Sequence, residues 1–233
     1  MIILALESSA TACSVALTKD GELLSSSYEN SGLTHSRTLL PMVHGVLEHC
    51  GMGMDQVDVV AVAAGPGSFT GLRIGVATAK GLAWPADKDC AACSTLESMA
   101  WQAAHLDGKL IVCAMDARRK QVYNALFLAH GDHLERLTPD RAISLEELAE
   151  ELKKYENSKI VVGDGAVLCY NTLTEQGIEV EVAPTQFRMQ TAWGVAQAAQ
   201  ELISCGQLVK SHALVPVYHR LSQAERERLE KQK

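Results

Sequence analysis

The sequence predicts an α/β protein made of two similar lobes. Three strand-like runs open the chain, and strand and helix patterns alternate after them. The same succession begins again after Asp107-Gly108, with a new pair of strand-like runs followed by helices. A repeated order of elements indicates duplication, so we expect a first lobe over residues 1–106 and a second over residues 107–221. Residues 222–233 form a charged tail of mixed sign.

The composition excludes several classes of protein. With 47% hydrophobic and 21% charged residues, the chain is typical of a globular protein. Its formal net charge of −7 disfavours direct binding of nucleic acid, because affinity for phosphates comes mostly from lysine and arginine. No apolar run reaches the length of about 20 residues that crosses a bilayer, and no basic segment precedes Ile2, as one would in a signal peptide. Seven dispersed cysteines favour reduced thiols, so we expect a cytoplasmic protein without membrane contact.

The first lobe is predicted to open with a three-stranded meander. Residues 2–7 and 12–18 are strand-like and are joined by a short polar turn. Asp20-Gly21 is a strong hairpin signal before a third run at 22–28. Apolar residues then recur at helical spacing, which predicts a helix over 34–50.

The most distinctive stretch combines a strand, a glycine loop and a helix. Residues 57–64 are apolar on both faces, as in a buried strand, and Gly65-Pro66-Gly67 turns the chain sharply. Ser68 is placed to cap the helix predicted over 69–83.

A row of small residues, Gly71, Gly75 and Ala79, runs along one side of this helix, because positions four apart share a face. Glycine costs about 1 kcal/mol relative to alanine inside a helix, so the close approach of another backbone has to compensate. An element of the same domain and a helix of another subunit both fit the spacing. The spacing alone leaves both open.

The remaining elements follow the same alternation. Ser144 and Glu147 form a capping box at the start of a charged amphipathic helix. Strands are predicted near 90–94, 110–115, 122–129 and 160–162, and helices near 96–104, 144–155, 167–176 and 191–204.

The predicted order matches the two-lobed actin-like ATPase (ASKHA, sugar kinase-like) fold, which has duplicated ribonuclease H-like lobes. In such folds a turn from each lobe faces a nucleotide in the cleft. The residues that would line a vestigial nucleotide cleft here are Glu7, Ser8, Asp116, Arg118, Gly163 and Asp164.

Two interpretations of these cleft residues stay open. Carboxylates can hold magnesium through water, and an arginine can neutralise phosphate. Alternatively, Glu7 and Asp116 accept hydrogen bonds from the amides of their own turns. The second turn, Ala117–Lys120, contains no glycine, which weakens a phosphate-binding role. The sequence offers no catalytic Ser–His–acid set.

No metal site is expected from the histidines and cysteines. His35, His44 and His49 share one predicted helix, but none of them are four apart, as a helical zinc pair requires. Cys90 and Cys93 have no second pair of cysteines that would complete a zinc site. They also lie in a predicted strand, where residues three apart point to opposite faces. We interpret them as core residues.

Five segments carry a resemblance to a known family, and the similarity extends over nearly the whole chain. They are Leu4-Ala5-Leu6-Glu7-Ser8-Ser9, Gly65-Pro66-Gly67-Ser68-Phe69-Thr70-Gly71-Leu72-Arg73-Ile74-Gly75, Ser94-Thr95-Leu96-Glu97, Met115-Asp116-Ala117-Arg118 and Val162-Gly163-Asp164-Gly165. In these segments the chain closely resembles the TsaB (YeaZ) family of bacterial tRNA threonylcarbamoyladenosine biosynthesis proteins.

The resemblance implies a non-catalytic scaffold and activator of the related enzyme TsaD, a degenerate member of an enzyme fold. TsaD transfers a threonylcarbamoyl group from its adenylate to the adenosine beside the anticodon. The ATPase TsaE joins the complex, through which tRNA is reached. TsaD-like proteins bind a metal through a His-x-x-x-His pair at the place where this chain has Thr95 and Met99, which are poor replacements. We therefore expect no metal and no cofactor beyond weak or vestigial binding of an adenine nucleotide.

The resemblance also implies a homodimer when the chain is alone, made by the helices at 34–50 and 69–83. TsaD would use the same surface, so the two pairings would exclude each other. The interface residues implied are His35, Leu39, Met42, Val46, Gly71, Ile74, Gly75, Thr78, Ala79 and Leu82. The substitution Gly75→Leu is then expected to hold the helices apart and abolish association.

Two other functions remain open at this point. One is an ATP-dependent phosphotransferase or ATPase that uses Glu7 and Asp116. The other is direct RNA binding through Arg118-Arg119-Lys120, which the acidic total disfavours.

Overall fold

The computed structural model describes residues 1–220 and confirms the two-lobed α/β fold. The charged tail expected at 222–233 lies outside the described residues. The strands are β1 (Ile2–Glu7), β2 (Cys13–Lys19), β3 (Glu22–Glu29), β4 (Val59–Gly65), β5 (Asp89–Ser94), β6 (Leu110–Asp116), β7 (Gln121–Ala129), β8 (Leu134–Arg136), β9 (Arg141–Ser144), β10 (Lys159–Val162), β11 (Glu181–Val182) and β12 (Val209–Lys210). The helices are α1 (His35–His49), α2 (Phe69–Ala83), α3 (Thr95–Ala100), α4 (Leu145–Leu152), α5 (Ala166–Glu175), α6 (Thr185–Arg188) and α7 (Ala192–Ser204).

The two sheets repeat one topology. The first has the order β12-β5-β4-β1-β2-β3, and the second has the order β11-β10-β6-β7-β8, with β9 also paired to β7. In each sheet an antiparallel meander (β1–β2–β3, β6–β7–β8) continues into parallel strands (β4 and β5, β10 and β11). The duplication predicted from the order of elements is therefore present in the strand pairing.

Side-chain alternation along β1 explains why helices cover both faces of the first sheet. Leu4 and Leu6 face the core formed with α1 and α2, whereas Ile3 and Ala5 face α7. Cys90 and Cys93 likewise lie in the two different cores, and burial raises the pKa of both thiols. They pack as core residues.

The helices α3 and α7 cross between the lobes. Ser94 ends β5 in the first sheet and caps α3, whose residues pack on β6 and β7 of the second sheet. In return, α7 follows the second lobe in sequence but packs on β1, β2, β4 and β5 of the first. The two helices touch where Gly194 lies against the Ser98 backbone, which leaves no room for a Cβ.

This crossing changes the division of the chain into lobes. Residues 192–210 were expected in the second lobe, yet α7 covers the first sheet and β12 extends it by pairing with β5. Conversely, α3 was expected in the first lobe and contributes to the second core. Among the described residues, no helix is long and apolar enough to span a membrane.

Candidate functional site

The first turn of the interlobe cleft is organised by a buried carboxylate. Glu7, at the end of β1, is fully buried, and its Oε1 accepts a hydrogen bond from the Ser9 amide at 2.5 Å. Its Oε2 has no hydrogen-bond partner among the described residues. The pKa of Glu7 is raised to about 7, mainly because burial desolvates the carboxyl group, and the charge of Asp164 in the second lobe contributes to this rise.

Ser8 does not line the cleft, contrary to the sequence prediction. It is buried, and its hydroxyl donates to the Gly71 carbonyl oxygen at 3.0 Å. Alternation along the chain places its side chain on the α2 side of the turn when Glu7 faces inward. Ser8 therefore fixes the start of α2 against β1.

Two backbone amides of the second turn donate to acceptors within the turn. The Arg118 amide donates to Asp116 Oδ1 at 2.7 Å, and the Ala117 amide donates to the Gln121 carbonyl at 3.0 Å. Arg118, Arg119 and Lys120 all have left-handed φ angles, of 66°, 55° and 57°, although none is a glycine. The exposed Arg118 guanidinium lies 3.6 Å from Asp116 Oδ2.

The third loop, Gly163–Gly165, closes the cleft from the second lobe. Gly163 has φ 107° and lies so close to the Ala114 carbonyl that a Cβ would not fit. Asp164 Oδ1 accepts a 3.4 Å hydrogen bond from Gln190. Partial desolvation raises the pKa of Asp164, and the nearby Asp116 charge adds to this effect. The carboxyl groups of Glu7, Asp116 and Asp164 therefore lie near one another, and their place in a nucleotide cleft stays a prediction.

The arrangement of the cleft favours the interpretation in which carboxylates satisfy turn amides. Phosphate binding in such a cleft requires backbone N–H groups that are free to face the ligand. Here the amides of Ser9, Ala117 and Arg118 already donate within the chain. The carboxylates of Asp116 and Asp164 add negative charge, which disfavours a phosphate that arrives without a cation.

The helix that follows β5 buries the two residues that were compared with the histidine pair of TsaD-like proteins. Thr95 and Met99, which lie where TsaD-like proteins have histidines, are both fully buried. Within residues 1–220, no three His, Cys, Asp or Glu side chains are grouped so as to hold a metal ion.

The row of small residues in α2 faces the chain's own core, so its assignment to a subunit interface was wrong. Gly71 lies against the Ser8 carbonyl, Gly75 lies against the Ser8 hydroxyl and Val62, and Ala79 is fully buried. The backbone that approaches closely is the turn after β1. Gly75→Leu would therefore disturb folding, and a loss of association in that variant would not identify an interface.

Most of the other residues assigned to the interface also pack inward. Leu39 and Val46 are buried in the first core, and Met42, Ile74 and Leu82 are partly buried against it. His35 Nε2 lies 2.7 Å from the Ala10 carbonyl oxygen, and the Thr78 hydroxyl donates to the Ile74 carbonyl at 2.8 Å. These side chains stabilise the two helices from within.

A second set of residues on the same helices faces solvent, and we call it the outer face. The outer face consists of Leu40 and His44 on α1, Ala77 and Gly81 on α2, and Trp84 just after α2. Leu40 is 55% exposed and Trp84 is 79% exposed. Nothing lies within 4 Å of the position of a Cβ at Gly81. Ala77 and Gly81 repeat the four-residue spacing of the buried row, so the sequence contains a second row of small residues on α2.

Comparison with known proteins shows which proteins are related to this chain. A family model described as "TsaD: tRNA N6-adenosine threonylcarbamoyltransferase" matches residues 29–226. The Bacillus subtilis tRNA threonylcarbamoyladenosine biosynthesis protein TsaB is 35% identical over the full length of both chains. The Escherichia coli TsaB is 30% identical over 94% of this chain and 95% of its own.

The chain belongs to the TsaB (YeaZ) family. The resemblance carried by the five sequence segments is confirmed. A solved structure, YeaZ from Pseudomonas aeruginosa, superposes with a TM-score of 0.80 at 27% identity, covering 93% of this chain and 99% of that one. The two-lobed architecture is therefore that of the TsaB family over nearly the whole length.

Proposed function

We propose that the chain takes part in tRNA threonylcarbamoyladenosine biosynthesis as a non-catalytic scaffold and activator of a TsaD-like catalytic subunit. The names of its full-length relatives, which are tRNA threonylcarbamoyladenosine biosynthesis proteins, support the pathway. In this proposal a TsaE-like ATPase joins the complex in the cytoplasm, and tRNA is bound through the complex.

The exposed apolar outer face is the observation on which the proposed scaffold role rests. Exposed apolar side chains beside small residues allow a partner helix to approach closely and bury Leu40 and Trp84. Burial of large apolar side chains in this way supplies most of the free energy of protein association. The same face would hold a second copy when the chain is alone, so self-association and binding to TsaD would compete.

The cleft supports the non-catalytic part of the proposal. The amides of Ser9, Ala117 and Arg118 donate within the chain, and the groups that shift the pKa of Glu7 include no cation of the described residues. A scaffold needs no turnover of its own. It activates by binding the competent arrangement of its partner more tightly than other arrangements, which shifts the partner's population.

A double substitution on the outer face tests the proposal. Ala77→Arg with Gly81→Arg places two long charged side chains on exposed positions of α2 without filling the core. We expect the isolated variant to sediment as a monomer and to keep its melting temperature. In a reconstituted mixture with a TsaD-like subunit, a TsaE-like ATPase and tRNA, we expect loss of co-purification and of modified adenosine.

The matched control is Val167→Arg, which adds the same side chain to an exposed position of α5 in the second lobe. It should leave sedimentation, co-purification and modification unchanged. Full activity of the double variant would refute the scaffold role. Tight ATP–magnesium binding and turnover by the isolated chain, measured by calorimetry and phosphate release, would instead favour the phosphotransferase or ATPase function.

A further inference from the structure

We propose that a cavity between the two lobes binds an uncharged, planar heteroaromatic molecule. The cavity has a volume of about 790 Å³, which falls within the range of about 300–1,000 Å³ that small-molecule sites occupy. It lies on the α7 side of the first sheet, whereas the outer face lies on α1 and α2. The inference therefore does not rest on the proposed scaffold role.

Both lobes contribute walls to this cavity. The edge strand β3 supplies Ser26 and Tyr28, and the start of α7 supplies Trp193. The opposite wall comes from the turn after α3, with Trp101, and from α6, with Phe187. Phe187 is 46% exposed and Tyr28 is 49% exposed, so large rings remain available to a ligand. Aromatic walls of this kind favour stacking on a flat ring.

The charge of the lining selects against anions. None of the lining residues is a lysine or an arginine; His105 is the lining side chain that can become positively charged, and the exposed Asp132 carboxylate is paired with His133. A phosphate or carboxylate group would therefore meet no permanent positive charge in the lining and would lie near the Asp132 carboxylate. The lining thus favours neutral molecules over nucleotides and acidic metabolites.

Polar groups of the lining that lack a hydrogen-bond partner give the ligand its hydrogen-bonding character. Gln102 Nε2 donates to the Met189 carbonyl, which leaves the amide oxygen of Gln102 without a partner among the described residues. Gln197 Oε1 accepts from Gln200, which leaves its amide nitrogen similarly unused. The indole N–H groups of Trp101 and Trp193 also have no acceptor there. Donors and an acceptor together suit a ring whose edge carries both types of group, as a nucleobase-like heterocycle does.

Binding of adenosine to the full chain tests the site. The chain has three tryptophans, of which Trp101 and Trp193 line the cavity and Trp84 does not. In a Trp84→Phe background, we expect adenosine to quench the remaining fluorescence saturably at millimolar concentration or below. AMP, which adds only a phosphate, should bind at least about tenfold more weakly, a difference of about 1.4 kcal/mol.

A blocking substitution locates the binding. Ser26→Tyr adds a ring to the cavity wall from an exposed edge-strand position, where tyrosine is well tolerated. We expect at least about a tenfold loss of adenosine affinity with an unchanged melting temperature. Leu24→Tyr, on the same strand but outside the cavity, is the control and should bind normally. The proposal is overturned if adenosine does not saturate, if AMP binds as tightly, or if Ser26→Tyr binds adenosine like the parent chain.

Discussion

At the scale of single residues, α2 places glycine in two opposite environments. Gly71 touches the carbonyl of Ser8 and has no space for a side chain. Gly81, ten residues later in the same helix, faces open solvent. Gly71 is therefore required for packing. In the isolated chain, Gly81 has no packing role and only lowers the helix propensity of α2.

One substitution made at both positions should have effects of opposite sign. Gly71→Ala would push its methyl group into the Ser8 backbone, and we expect the free energy of unfolding to fall by about 1–3 kcal/mol. Gly81→Ala should raise it by up to about 1 kcal/mol, because alanine is the better helix former. Urea denaturation of both variants measures the difference. A Gly71→Ala variant as stable as Gly81→Ala would contradict the inward orientation of the row.

The four-residue spacing of the small residues was predictable from the sequence, but which of the two rows faces the core was not. Gly71, Gly75 and Ala79 form one row, and Ala77 and Gly81 form another with the same spacing. Which row faces inward depends on the turn after β1, about sixty positions earlier in the chain, which no local pattern reports. The proximity of the cleft carboxylates was easier to predict, because the strand ends of the two lobes in a duplicated fold point to one place.

At the scale of elements, the long strands and helices followed from periodicity, and the short ones did not. The strands β11 and β12 have two residues each, and they form because a neighbouring strand offers an unpaired edge. Two residues carry no measurable period. The crossing of α3 and α7 was missed for a similar reason, since sequence order alone does not say which sheet a helix covers.

The segment after β12 runs along α2 and joins it to the second lobe. Lys80 donates to the carbonyls of His212 and Leu214, and the Val217 amide donates to the Ala64 carbonyl at 2.7 Å. Farther on, Arg220 donates to the carbonyl of Ala117 in the second turn of the cleft. These contacts hold the glycine loop after β4 in place from outside.

A tyrosine anchors this segment, and its removal should loosen the loop. Tyr218 stacks on Phe69 with ring centroids 4.6 Å apart, and its hydroxyl accepts from Arg73 Nε at 3.0 Å. We expect Tyr218→Ala to lower the free energy of unfolding by about 1 kcal/mol and to speed hydrogen exchange at the Val217 amide. Tyr170→Ala, on exposed α5 and without a ring contact in the described chain, is the matched control. Equal exchange in the two variants would show that the segment is held elsewhere.

At the scale of the whole molecule, the two lobes meet where the buried Glu7 lies near the more exposed Asp164. Glu7 belongs to the first sheet, and Asp164 follows a strand of the second, yet the charge of Asp164 raises the pKa of Glu7. The thiols of Cys13 and Cys93 also sense the Glu7 charge, and neither supplies a positive counter-charge. Closing the lobes over Glu7 therefore favours its neutral, protonated form.

The stability of the whole chain should report this protonation. The pKa of Glu7 is about 7 in the folded protein and 4.5 without burial, so the folded state binds the proton more tightly. The resulting stabilisation is fully present below the unfolded pKa and is lost as the pH rises through the folded one. One pKa unit corresponds to 1.36 kcal/mol, so the loss between about pH 4 and pH 8 amounts to about 3 kcal/mol.

The variant Glu7→Gln isolates this effect, because its side chain resembles the protonated acid and does not titrate. Glu201, whose pKa is also raised to about 7, titrates in both proteins, so its contribution cancels in the difference. We expect the unfolding free energy of Glu7→Gln minus that of the parent chain to grow by about 3 kcal/mol from about pH 4 to pH 8 in urea titrations. Parallel pH profiles would mean that Glu7 remains ionised in the fold and that a cation or a donor from another molecule reaches it between the lobes.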